Sequence, residues 1–130
     1  MTAPRGMPAF MDALGITIER YDEGEAVVRM DVPEALMTPF GTVHGGVIAT
    51  LFDTGLAVAI ARRLGEADRV ATHNLNVSYV AFARAPVLLC RARVVSLRRD
   101  VALAEGEVTT GDGVLIAKAV GTFGVRRQGG

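Results

Sequence analysis

Asp53 is the residue of this sequence best placed to do chemistry. It is the single charge in an apolar run from Gly45 to Ala61, with Ala49, Thr50, Leu56 and Ala57 at the positions three and four away. No basic side chain on the same helix can pair with it. A carboxylate withdrawn from water without a partner is strongly penalised, so either the fold compensates it or it faces a wet cleft. A carboxylate held in that way can serve as a general base toward water or as a nucleophile. The plainer alternative is a bond to a backbone group or to a neighbouring subunit, and position alone weighs the two evenly.

His44-Gly45-Gly46 opens the same run. Two glycines let a ligand come close to the backbone. The first amides of a helix lack intrahelical partners and lie at the positive end of its dipole, which suits a carbonyl oxygen that gains charge under attack. A plain helix-start turn explains the same three residues, and by itself the motif is weak.

The two features together are more informative. Gly45 and Asp53 are eight residues apart, which on a helix is about 12 Å. One small carbonyl group cannot meet both within a single chain. If both act on the same atom, the helix tip of one chain must meet Asp53 of another, so the spacing predicts a site shared in an oligomer.

The elements that must position these residues follow from patterning. Phe10 to Leu14 suits a short helix stopped by Gly15. Ile16 to Tyr21 and Glu25 to Val32 suit strands joined by Asp22-Glu23-Gly24, since Ala26, Val28, Met30 and Val32 alternate onto one face. Pro33 to Met37 makes one helical turn and Pro39-Phe40-Gly41 a loop. A long helix spans Gly45 to Leu64 and closes at Gly65. It is apolar on almost every side, as expected of a helix surrounded by protein, and Ala49, Gly55, Ala57 and Ala59 would let a sheet approach it. Val70 to Phe82, Val87 to Leu97, Val101 to Thr109 and Val114 to Val125 suit strands, with Gly111-Asp112-Gly113 as a hairpin turn. The pattern is α+β: an antiparallel sheet of five to six strands around one long central helix.

Composition sets limits. The 130 residues, half of them hydrophobic, suit one domain with a core from about residue 10 to 125. Fourteen basic and fourteen acidic residues cancel, which removes the electrostatic case for nucleic acid or an anionic membrane as partner. The apolar run is shorter than the roughly 20 residues that span a bilayer, and it carries Asp53. Cys90 is the only cysteine, so no internal disulfide forms. The start, with Pro4, Arg5, Gly6 and Pro8, lacks the apolar core of a secretory signal. The expectation is a cytoplasmic protein.

Phe40-Gly41-Thr42-Val43-His44-Gly45-Gly46, followed by Leu51-Phe52-Asp53, resembles the signature of the PaaI-like thioesterases. Asn76-Val77-Ser78-Tyr79-Val80 with Arg84 and Pro86, and then Gly113 to Phe123, resemble that family's later strands, so the likeness runs from about Phe10 to Val125. The resemblance implies a hot-dog fold, dimers with a continuous sheet and shared sites, commonly paired into tetramers, and hydrolysis of acyl-CoA thioesters. It implies that the Gly45 amide polarises the carbonyl, that His44 shapes the loop, that Asp53 from the opposite chain is base or nucleophile, and that the Thr72 hydroxyl helps place the water. No metal and no cofactor are implied beyond the CoA carried by the substrate. The family commonly has Asn six residues before the histidine. This sequence has Thr38 there, with a hydroxyl of shorter reach, so Thr38 and Gly46 enter as expected substrate contacts.

Other candidates are weaker. His44, His73 and Cys90 have no zinc-ligand spacing, and no nucleophile elbow or phosphate loop is present. Alternation over Val70–Val80 places Thr72, Asn74, Asn76 and Ser78 on one face, and His73 with Leu75, Val77 and Tyr79 on the other, the latter set reading as packing. Arg84, Arg98 and Arg99 stand at strand ends where CoA phosphates could meet them, although surface arginine is the commoner role. A non-catalytic acyl-CoA binder of the same fold is the alternative to the hydrolase. A hydratase of that fold is disfavoured by the Gly-Gly after His44.

Overall fold

The computed structural model describes residues 8–22 and 24–128, so the start through residue 7, the middle of the expected turn at Glu23, and residues 129–130 lie outside it. A short helix, α1 (Pro8–Ala13), leads into β1 (Ile16–Asp22) and β2 (Glu25–Asp31). A 3₁₀ turn (Glu34–Leu36) and a loop precede the long helix α2 (Gly45–Ala61), and β3 (Arg69–Tyr79), β4 (Val87–Leu97), β5 (Val101–Thr110) and β6 (Leu115–Arg126) complete the order. The six strands form one sheet in the order β1-β2-β4-β5-β6-β3. Every neighbouring pair is antiparallel. The sheet wraps α2, and this is the hot-dog architecture.

Period-two burial drives the wrap. In β2, Ala26, Val28 and Met30 are buried while their neighbours are not. In β6, Ala117, Ala119, Gly121, Phe123 and Val125 turn inward. Leu56 of α2 packs at Gly121, 3.1 Å from where a Cβ would stand; Phe52, Leu56 and Ile60 are each fully buried, and a large apolar side chain so buried contributes roughly 1.5–3 kcal/mol. Close approach is secured at Gly55, where an added Cβ would lie 2.7 Å from the Cys90 sulfur of β4. Ala59 is buried as expected, whereas Ala49 and Ala57 are only half-buried.

That difference corrects the expectation of a helix enclosed on all sides. Ala49, Thr50, Asp53 and Ala57 form a half-buried stripe along α2. Two ends also differ. The helix stops at Ala61, because the amides of Arg63 and Leu64 bond only three residues back, to Ile60 and Ala61, tightening the chain into a turn. Strand β3 stops at Tyr79, because the amides of Val80 and Ala81 both donate to the Ile116 carbonyl and exhaust the ladder there.

The outer face of the sheet is charged. Arg93 of β4 pairs with Glu105 of β5, and Lys118 of β6 lies 3.2 Å from Glu107 of β5. Such exposed cross-strand pairs add little stability, but they keep this face polar. No described helix is long and apolar enough to cross a membrane.

Candidate active site

Asp53 is half-buried on the open stripe of α2. Its Oδ1 accepts a 2.6 Å hydrogen bond from the Thr72 hydroxyl of β3, and this bond supplies the compensation that the helix itself cannot. The carboxylate is therefore neither enclosed in apolar surroundings nor consumed by a backbone bond.

Thr72 reaches Asp53 through a β-bulge. Along β3 and β6, Thr72 pairs with Phe123 and Asn74 with Thr122, so His73 is an extra residue. One inserted residue reverses the alternation. Thr72 consequently shares the helix-facing side with Leu75, Val77 and Tyr79, while Asn74, Asn76 and Ser78 face outward. The face assignments of Thr72 and His73 drawn from strict alternation are thus reversed. The His73 ring lies on the outer side over Gly124, where an added Cβ would come within 2.5 Å of Nε2.

The N-terminal end of α2 is organised by His44, its N-cap, whose Nδ1 accepts from the Gly46 amide at 2.9 Å. The amides of Val47 and Ile48 donate to the His44 carbonyl. Gly46 therefore gives its amide to the cap and offers a ligand space rather than a donor. Among the described residues the Gly45 amide makes no hydrogen bond, as is usual for the first amides of a helix.

Tyr79 was expected only to pack, yet it completes this end. Its hydroxyl donates to the Gly45 carbonyl at 2.6 Å, and its ring lies 3.6 Å from where a Gly45 Cβ would be. Desolvation raises the Tyr79 pKa above the ordinary phenol value, so it remains a donor at neutral pH. Strand β3 thus runs beside α2 in the opposite sense, with Thr72 at Asp53 and Tyr79 at Gly45.

Thr38 is turned inward to its own loop. Its hydroxyl shares a 2.7 Å hydrogen bond with that of Thr42 and accepts from the amides of Phe40 and Thr42. These bonds build the turn before His44. Arg84 is exposed, 5.8 Å above the Phe82 ring, in the loop after β3 that bonds the Val43 amide through the Ala83 carbonyl.

A cleft of about 370 Å³ lies beside the N-terminus of α2, with His44, Gly46 and Thr50 at its edge. A larger concavity of about 540 Å³ occupies the outer face among the charged cross-strand pairs. It contains none of the residues just described, and we assign it no part in the chemistry. No cluster of three or more His, Cys, Asp or Glu among the described residues could hold a metal ion. Cys90 is buried, and burial pushes its thiol up to about 12.

A carboxylate midway along a helix and an unpaired backbone donor at its N-terminus, inside a hot-dog sheet, define the class of protein. The sequence profile of the thioesterase superfamily matches residues 40–117. The chain belongs to that superfamily, whose members hydrolyse thioesters. It is 42% identical over 102 residues, 75% of this chain and 67% of the other, to a protein of Halobacterium salinarum named as a candidate esterase. It is 24% identical over 117 residues, 90% of this chain and 95% of the other, to a 1,4-dihydroxy-2-naphthoyl-CoA hydrolase of Listeria monocytogenes. Among solved structures it resembles the phenylacetic acid degradation protein PaaI of Thermus thermophilus, with TM-score 0.79, 32% identity, and 89% of this chain and 97% of that chain covered.

Proposed function

We propose that this chain hydrolyses acyl-CoA thioesters at a site shared by two copies, with Asp53 of one and the Gly45 amide of the other acting on one carbonyl. The observation that carries this is the opposed run of α2 and β3. Strand β3 is an edge of the sheet, eleven residues long, and an uncovered edge of that length invites a second strand. A second copy of β3, paired antiparallel about a two-fold axis near Leu75 and Asn76, would set Thr72 of one chain opposite Tyr79 of the other. Asp53, midway along one helix, would then face the Gly45 end of its partner. Tyr79 at the end of this edge is exposed, which supports the edge being covered.

The chemistry balances without a metal. Asp53 takes a proton from water as the water oxygen bonds to the thioester carbon. The carbonyl oxygen gains the charge and is held by the Gly45 amide and the positive end of α2. Collapse breaks the carbon–sulfur bond and the leaving thiolate recovers the proton, giving acid and CoA. One oxyanion donor is worth roughly 3–4 kcal/mol and a positioned base about 10²–10⁴-fold in known enzymes. Arg84 and exposed Phe82 lie on the loop after Tyr79, where the nucleotide part of CoA would find a cation and a stacking face. A cytoplasmic location, and a tetramer built from two such dimers, belong to the same reading.

The test is thiol release from a panel of acyl-CoA esters by the purified protein and its Asp53→Asn variant. Hydrolysis by the parent and its loss in a variant that melts normally supports the proposal. Equal turnover by both removes Asp53 from the mechanism. Thr38 being committed to its loop favours a second reading, an acyl-CoA binder, and tight CoA-ester binding with no thiol released by the parent would select it.

A further inference from the structure

The peptide group between Gly45 and Gly46 is held from both sides. The Tyr79 hydroxyl donates to its carbonyl at 2.6 Å, and its N–H donates to His44 Nδ1 at 2.9 Å. The preceding peptide group, which carries the Gly45 N–H, is held through the His44 carbonyl by the amides of Val47 and Ile48. Both peptide planes that meet at the Gly45 Cα are therefore fixed. Restraint matters here, because glycine loses more backbone freedom on ordering than any other residue and helix ends fray. A first-turn carbonyl also accepts within its own helix. The phenol adds a bond from a separate element, β3, and its ring lies 3.6 Å from where a Gly45 Cβ would stand.

We infer that Tyr79 is a positioning residue: its hydroxyl fixes the Gly45–Gly46 peptide plane and so aims the Gly45 amide at the substrate carbonyl. This deepens the proposed thioester hydrolysis and rests on it. An oxyanion donor works by being aimed in advance, so that nothing need reorganise as charge develops. A donor free to swing can still bond, but it forfeits part of that advantage. Tyr79 acts through the backbone, its phenol being given to a carbonyl. Desolvation raises its pKa above the ordinary phenol value, so the bond persists at neutral pH. Strand β3 then orients both groups that one chain contributes, the carboxylate through Thr72 and the amide through Tyr79.

The experiment uses Tyr79→Phe in the full chain, which keeps the ring beside Gly45 and removes only the hydroxyl. With the acyl-CoA ester that the parent hydrolyses fastest, kcat should fall by roughly 10–100-fold, at or below the 10²–10³-fold that a lost oxyanion donor costs. KM should stay near the parent value, as for an interaction made in the transition state. In a Gly45→Ala background, where the amide is already obstructed, Tyr79→Phe should add little further loss, because both changes act on one group. Amide hydrogen exchange, followed by nuclear magnetic resonance without substrate, reads the bond itself: Gly46 should exchange roughly 3–10-fold faster in Tyr79→Phe, the equivalent of about one hydrogen bond. Unchanged exchange at Gly46, a raised KM at unchanged kcat, or a full additional loss in the Gly45→Ala background overturns the positioning role and leaves the hydrolase standing. A parent that releases thiol from no ester overturns the hydrolase itself, and the inference with it.

Discussion

The Thr72 hydroxyl and the Asp53 carboxylate stand 2.6 Å apart although 19 residues separate them in sequence. The bond orients Oδ1 and leaves Oδ2 to meet water. Thr72→Val removes the donor while keeping the shape, and a hydrogen bond to a charged group is worth about 1.5–3 kcal/mol. Thr72→Val should therefore lower kcat/KM for thioester hydrolysis by about 10–100-fold, and Thr72→Ser should restore most of it. Matching rates for the Val and Ser variants would make the hydroxyl irrelevant.

Gly45→Ala separates space from stability. A Cβ at this position would meet the Tyr79 ring at 3.6 Å, an ordinary contact, so the variant should melt within a few degrees of the parent. The methyl group would crowd the approach to the amide, and misplacing a reacting group by about 1 Å can cost 10²-fold. A loss of that order in kcat/KM with an unchanged melt is the expected result, measured by thiol release and circular dichroism.

Much of this was legible in sequence. All six strands and the long helix follow from apolar periodicity and turn residues. The bulge was not legible. The 69–79 run holds no glycine or proline to mark where alternation breaks, and among the described residues no non-glycine residue adopts positive φ. The indication lay in the partner strand, where Gly124 leaves room for the His73 ring. The open stripe of α2 was hidden for a different reason: Ala49 and Ala57 suit a buried or a half-exposed helix face equally. Tyr79 looked like packing because its value lies in a backbone carbonyl 34 residues away in sequence, and composition does not report that.

Gly55 tests the packing that fixes α2 against the sheet. Gly55→Ala sets a Cβ 2.7 Å from Cys90 Sγ, and such overpacking costs about 1–3 kcal/mol. Cys90→Ala in the same chain removes the sulfur and leaves the Cys90 Cβ at 3.5 Å. Denaturant titration of the four chains of this cycle should show the double variant more stable than the sum of the single changes, by at least about 0.5 kcal/mol. Additive losses would contradict the contact.

Cys90 should be silent in a thiol-release assay. It is the only cysteine, and burial holds its thiol up at about 12, so the thiolate is scarce at neutral pH. Ellman's reagent should report no protein thiol in the native state and one equivalent after denaturation. Rapid native labelling would show that the β4 face against Gly55 opens.

Subunit mixing tests the shared site most directly. Asp53→Asn and Gly45→Ala chains, each nearly inactive alone, are unfolded together in equal amounts and refolded. If Asp53 of one chain serves the Gly45 amide of its partner, random pairing gives half mixed dimers, each with one intact site, and activity recovers to about one quarter of the parent value. If each site lies within a single chain, or Asp53 does not act, the mixture stays as inactive as its components.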